Sequence, residues 1–153
     1  MRKLSEEVLI ALKGKTLAAA ESLTGGAIGA EVTSVPGASR VFKGGIVSYC
    51  NEIKHGLLSV PEQMLAQFGA VSSPVAVAMA KGARNALHAD VAVSATGLAG
   101  PDGDDFGHPV GTVFIGYADA QKALAEEFHF AGDRDAVRHQ AVQAALEMIL
   151  RQI

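Results

Sequence analysis

Ser22, in the run Ala20-Glu21-Ser22-Leu23-Thr24-Gly25-Gly26, follows a short apolar stretch and precedes a helical pattern. That places a hydroxyl at a strand-to-helix turn, a position from which hydrolases present a nucleophile. A serine hydroxyl is a poor nucleophile until a base removes its proton. Lys54, closing the run Ser48-Tyr49-Cys50-Asn51-Glu52-Ile53-Lys54 just beyond the next strand pattern, offers such a base. A lysine acts as a base only when neutral. Lowering its pKa from about 10.4 to about 7.5 takes roughly 4 kcal/mol against the charged form, which burial or a neighbouring cation can supply. The pair suggests Ser/Lys amidohydrolase chemistry. The plain alternatives are a helix N-cap for Ser22 and a solvated helix lysine for Lys54.

Other residues could serve the same chemistry. Thr24, Gly25 and Gly26 open a helix, so their backbone N–H groups can face a developing oxyanion or a phosphate. Tyr49 either orients Lys54, donates to a substrate, or packs with its hydroxyl wetted. Thr96-Gly97-Leu98-Ala99-Gly100-Pro101-Asp102-Gly103 is a glycine-rich loop whose backbone donors can cradle a phosphate or sugar, with Thr96, Gly97 and Gly100 as contacts, although many such loops are merely turns. Arg134 and Arg138 lie one helical turn apart in the opening of a helix, where the dipole disfavours cations by about 0.3–1 kcal/mol each. A bound phosphate would offset that cost, and so would pairing with Asp133 or Asp135.

Several tempting matches fail. Cys50 has no evident histidine partner and reads as a buried free thiol. Asp102, Asp104 and Asp105 lose calcium-loop spacing at Phe106 and read as a solvated acidic turn. His108, before Pro109, can face the loop's ligand, whereas His55, His88, His129 and His139 read as surface residues. No set has metal-ligand spacing, so neither a metal nor a cofactor is expected. Gly14-Lys15-Thr16 lacks the first glycine of a P-loop. Thr24, Gly26 and Gly29 imitate a dinucleotide fingerprint with its first glycine replaced, which supports a rival reading as a non-catalytic nucleotide-binding module.

These groups need elements to hold them. Ser5, Glu6 and Glu7 followed by Val8, Leu9, Ala11 and Leu12 predict a capped helix ending at Gly14. Thr16 to Ala20 predicts a buried strand, Gly25 to Val35 a helix, Gly45 to Tyr49 a strand, and Asn51 to Lys54 a capped helical turn. A further helix runs from Pro61 to about Phe68. Ser73-Pro74 starts another with Val75, Met79, Ala83 and Leu87 on one face, and Gly82 within it implies close packing. Strands are expected over Val91 to Ala95, Val110 to Tyr117 and Lys122 to Phe130, the last two as a hairpin, and a final helix over Arg134 to Arg151. The alternation implies a three-layer α/β/α sandwich around a mixed, mostly parallel sheet of about five strands. In such sheets ligands sit beyond the carboxyl ends of the strands, where Ser22, Tyr49, Lys54 and Thr96 all fall.

The composition sets bounds. A chain of 153 residues fits a single domain, 1–153, with a real core. A net charge of -3 without a basic block argues against nucleic acid or an anionic membrane as partner, and leaves a small-molecule nucleotide as the expected one. Self-association into a homo-oligomer is compatible with the sequence. The acidic start, the shortness of the apolar runs and a lone cysteine point to a cytoplasmic location.

The runs around Ser22 and Lys54, with Gly69-Ala70-Val71-Ser72, Thr96-Gly97-Leu98-Ala99-Gly100-Pro101, Pro109-Val110-Gly111-Thr112-Val113 and Gly132-Asp133-Arg134, together resemble the CinA C-terminal domain family across nearly the whole chain. That family includes nicotinamide mononucleotide deamidases. The resemblance implies metal-free hydrolysis of the nicotinamide carboxamide to nicotinate mononucleotide and ammonia, with Ser22 as nucleophile and Lys54 as base. It puts Tyr49 in the same motif, and the Thr96 loop, Arg134 and Arg138 at the nucleotide. Leu23 stands where the family often has cysteine, Cys50 where it often has serine, and His108 where a lysine is expected. Some members carry a preceding nucleotide-processing domain for which this chain has no room. A deamidase of another carboxamide is the remaining alternative.

Overall fold

The computed structural model describes all of residues 1–153. Five strands form one sheet in the order β2-β1-β3-β4-β5: β1 (Leu17–Glu21), β2 (Phe42–Val47), β3 (Val91–Gly97), β4 (Thr112–Ala118) and β5 (Ala123–His129). β1 pairs in parallel with both β2 and β3, while β3–β4 and β4–β5 are antiparallel. Mixed pairing was expected, but the two kinds are equal in number rather than mostly parallel. The cause is the loop after β3, which returns the chain directly alongside without a crossover helix.

Six helices cover the sheet: α1 (Leu4–Ala11), α2 (Ala27–Thr33), α3 (Asn51–Leu58), α4 (Glu62–Phe68), α5 (Ser73–Leu87) and α6 (Arg134–Gln152), with a 3-10 turn at Ala38–Arg40. Alternation along β1 divides its side chains between two cores. Leu17 and Ala19 join Val8, Ile28, Val142 and Met148 under α1, α2 and α6, whereas Ala18 and Ala20 join Leu58, Val75 and Met79 under α3, α4 and α5. Each fully buried Leu, Ile, Val or Met contributes about 1.5–3 kcal/mol from lost apolar hydration.

Small residues permit the close layers. A Cβ at Gly82 of α5 would overlap the Leu58 carbonyl, and one at Gly116 of β4 would overlap the Ala76 carbonyl and the Ser94 hydroxyl. The packing implied by Gly82 is therefore a direct backbone approach between α5 and the end of α3.

Some boundaries differ from expectation. β2 begins at Phe42 and ends at Val47, so Tyr49 lies beyond it; a bulge opposite Leu17 and Ala18 leaves Lys43 as the extra residue, followed by Gly44 with a φ of +153°. As an edge strand, β2 alternates half-buried and exposed residues, without the apolar run that marks a central strand. α3 continues past Lys54 to Leu58, despite Gly56, because Leu58 is buried under α5. Ser5 lies within α1, not at its cap; its hydroxyl donates to Glu31 Oε1 at 3.2 Å. β4 begins at Thr112 because Gly111 turns the chain at φ +95°.

The three parallel strands end at the same edge of the sheet. Ser22 follows β1, Ser48 to Lys54 follow β2, and the glycine-rich loop follows β3. Topology alone brings these segments together.

Candidate active site

Ser22 leaves β1 with its N–H donating to the Ala95 carbonyl of β3 at 2.9 Å, so this serine is still tied to the sheet. Its Oγ lies 3.0 Å from Lys54 Nζ. Lys54 is 1 % exposed, and its Nζ also donates to the Ser48 carbonyl at 2.7 Å. Burial lowers the Lys54 pKa to about 8, against a smaller opposing effect of Cys50. No carboxylate lies within ion-pair distance of the amine. The deprotonated amine can keep one N–H on Ser48 and turn its lone pair to the Ser22 hydroxyl. Neither plain alternative describes the pair: α2 begins at Ala27 with Gly26 at its cap position, and Lys54 is not solvated.

The turn carrying Ser22 is held by two residues in roles the sequence did not reveal. Glu21, 2 % exposed, accepts from the N–H groups of Gly26 at 3.2 Å, Ile28 at 2.8 Å and Gly29 at 3.0 Å. Arg138 Nε donates to the Leu23 carbonyl at 2.9 Å, and its Nη2 to the Thr24 carbonyl at 3.4 Å. Both findings correct expectations. The Gly26 N–H is occupied by Glu21 and the Gly25 N–H by the Ser22 carbonyl, so neither faces a ligand. Arg138 braces the turn and does not line the Ser22 cleft. The N–H groups of Leu23 and Thr24 have no acceptor in the folded chain. Thr24 itself is fully buried, away from the cleft wall, and its hydroxyl has no hydrogen-bond partner. The signal for Glu21 was a lone carboxylate closing an otherwise apolar strand, directly before a helix with bare N–H groups to satisfy.

Ser22, Leu23, Tyr49, Asn51, Lys54 and Thr96 line a cleft of about 410 Å³, together with Ala70 and Val71, the loop from Gly97 to Asp102, and Arg134. Its size falls in the range of about 300–1,000 Å³ usual for small-molecule sites. Tyr49 is exposed at the rim and makes no hydrogen bond to Lys54; its OH accepts from Arg134 Nη2 at 3.1 Å. Arg134 Nη1 donates to the Gly100 carbonyl at 2.6 Å, tying the start of α6 to the loop. The Thr96 hydroxyl donates to the Ala70 carbonyl at 2.8 Å, so it positions that wall. At Gly97 a Cβ would come 2.7 Å from Val113 Cγ2, and at Gly100 the φ is +98°, so both glycines answer to backbone geometry.

His108 stands outside the cleft wall: its Nδ1 is 2.8 Å from Asp104 Oδ2, and Asp104 Oδ1 accepts from the N–H groups of Phe106 and His108. The acidic turn is thus partly self-bonded. Cys50, expected to be buried, is exposed, because it occupies the cap position before α3. No three His, Cys, Asp or Glu side chains converge in a metal-binding group. A second concavity of about 500 Å³, at the opposite end of the strands, is lined by Lys15, Arg84, Asp90, Asp119 and Lys122. No serine, threonine, cysteine or histidine lines it, and its acids are engaged, Asp90 by Thr16 and Asp119 by Tyr117.

Comparison with known proteins fits this geometry. The family model described as the CinA C-terminal domain matches residues 1–153. The chain is 47% identical over 155 residues to a protein of Escherichia coli K12 named nicotinamide-nucleotide amidohydrolase PncC, covering 99% of this chain and 94% of that one. It is 48% identical over 141 residues to a CinA-like protein of Geobacter sulfurreducens, covering 92% of this chain but 34% of that protein, so it spans about a third of that relative's length. Among solved structures, the competence damage-inducible protein A of Klebsiella pneumoniae superposes with a TM-score of 0.95 at 32% identity, covering 97% of this chain and 94% of that one. The competence/damage inducible protein CihA of Agrobacterium tumefaciens gives 0.93 at 35%, covering 97% and 92%.

Proposed function

The chain belongs to the CinA C-terminal domain family, and from that footing we propose that it is a Ser/Lys amidohydrolase that converts nicotinamide mononucleotide to nicotinate mononucleotide and ammonia. The observation that carries the reading is the Ser22–Lys54 pair, 3.0 Å apart, with the amine buried and its pKa lowered to about 8.

The chemistry runs in two halves. Neutral Lys54 takes the Ser22 proton as Oγ bonds to the carboxamide carbon. The resulting ammonium then protonates the departing nitrogen, the C–N bond breaks, and ammonia leaves a nicotinoyl ester on Ser22. Water attacks that ester, giving its proton to Lys54, and Ser22 regains a proton as nicotinate mononucleotide departs. The Ser48 carbonyl keeps the amine aimed throughout. Arg134, with Tyr49 beside it at the rim, holds the substrate's phosphate, so remote binding orients the amide over Ser22. The partner is this small nucleotide, and the work is cytoplasmic. No helix is long and apolar enough to cross a membrane.

Incubating the purified protein with nicotinamide mononucleotide, while measuring ammonia and binding in parallel, tests the reading. Ammonia release that survives a chelator is expected. Binding without turnover would favour the non-catalytic module, turnover of only a different carboxamide would change the substrate, and activity lost to the chelator and restored by a metal would overturn the metal-free chemistry.

A further inference from the structure

The turn that carries Ser22 is gripped on both kinds of backbone group. The Glu21 carboxylate takes three N–H donors at the start of α2, and the Arg138 guanidinium, reaching across from α6, takes the two carbonyls that follow Ser22. Across a trans peptide, C=O and N–H point in opposite directions. Fixing the Leu23 carbonyl on Arg138 therefore also fixes the Thr24 N–H, and the Ser22 carbonyl, accepting from Gly25, fixes the N–H of Leu23. Leu23 lines the cleft beside Ser22, and its N–H has no acceptor within the chain.

We propose that Glu21 and Arg138 are positioning residues that lock this turn, so that Ser22 Oγ stays on Lys54 and the Leu23 N–H stays free to receive the oxyanion of the attacked carbonyl. The proposal rests on the amidohydrolase reading. A buried carboxylate facing three amides has no freedom to drift, and a guanidinium fork spans two carbonyls where an ammonium reaches one. The lock acts at a distance from the substrate: Glu21 and Arg138 are both absent from the cleft wall. Preorganised donors of this kind act on the chemical step and leave ground-state binding alone.

Two measurements on the full chain test it. Glu21→Gln keeps the shape but presents an NH2 to an amide donor, and Arg138→Ala removes a side chain that is 36% exposed, so the core stays intact. Both are expected to lower kcat for nicotinamide mononucleotide at least tenfold with KM changed less than twofold, with Arg138→Lys recovering part of the loss. Val8→Ala, in the core but outside both the cleft wall and the hydrogen bonds that hold the turn, serves as a destabilised control that keeps the wild-type kcat. In parallel, a sulfonyl fluoride is used to sulfonylate Ser22: an O–S bond forms, fluoride leaves, and the proton passes to Lys54. The labelling rate, read by intact mass, is expected to fall at least tenfold in both variants. Folded variants that turn over and label like the wild type would overturn the lock while leaving the amidohydrolase standing. A wild type that labels quickly, with slow variants, but releases no ammonia would remove the substrate reading and support the lock. A wild-type serine that resists the reagent would overturn both.

Discussion

Lys54 Nζ is moored on the Ser48 carbonyl at 2.7 Å. Ser48 and Lys54 belong to the same short segment, so the chain leaving β2 supplies both the amine and the carbonyl that aims it. The remaining reach of the amine is to Ser22 at 3.0 Å, just after the neighbouring strand β1. A base anchored this way needs no carboxylate partner, which would hold its proton on.

Removing either member of the pair should end catalysis without unfolding the protein. Ser22→Ala and Lys54→Ala are each expected to lower ammonia release about a thousandfold or more, since residues that act as a unit fail together. Far-UV circular dichroism checks the fold, and steady turnover in either folded variant would remove that residue from the mechanism.

The lowered Lys54 pKa makes activity pH-dependent. The free enzyme needs the neutral amine, so kcat/KM should climb with pH and level off above an apparent pKa of about 8. A profile flat between pH 6 and 9 would contradict a lysine base.

The same group should leave a mark on stability. Between about pH 8 and 10.5 the unfolded chain holds a proton on Lys54 that the folded chain has released, so stability rises with pH across that window. Below it both states are protonated and the full cost of burying the charge is present. Lys54→Met should therefore be inactive, and its stability relative to the wild type should fall by about 3 kcal/mol between pH 7 and pH 10.5, as the wild type loses its buried charge. Urea unfolding at a series of pH values measures this, and a constant difference between the two proteins would contradict it.

Arg134→Ala should act on binding. Losing the guanidinium at the rim is expected to raise KM about tenfold, some 1.4 kcal/mol, with kcat nearly kept. Steady-state kinetics separates this from the Arg138 variants, where kcat falls and KM holds.

Thr24→Val tests the orphaned hydroxyl. A buried hydroxyl without a partner costs about 1–3 kcal/mol, so the isosteric methyl should raise stability by about 1 kcal/mol and Tm by a few degrees. A lower Tm would show that the hydroxyl is satisfied in solution.

Local order made much of this molecule readable before folding. The Ser73-Pro74 start of α5, the close packing at Gly82, the hairpin of β4 and β5, and the long α6 all follow from residues near one another in the chain. Strand β2 was harder, because an edge strand with a bulge and two glycines buries no continuous apolar run. Tyr49 lies beside the cleft, as its position beyond β2 implies, but its hydrogen-bond partner is Arg134 and not Lys54. Hydrogen bonding between distant segments decided that.

Residue type and order by themselves singled out Ser22 and Lys54 as a candidate nucleophile and base, because a hydroxyl after one parallel strand and an amine after the next fall at the same end of the sheet. Only the tertiary structure decided which polar groups remain free to act. The N–H groups of Gly25 and Gly26 and the guanidinium of Arg138 looked available in the chain, yet folding commits them to Ser22, Glu21, Leu23 and Thr24. The physical reason is that buried backbone donors and acceptors must find partners, and which partner is nearest is a property of the packed molecule.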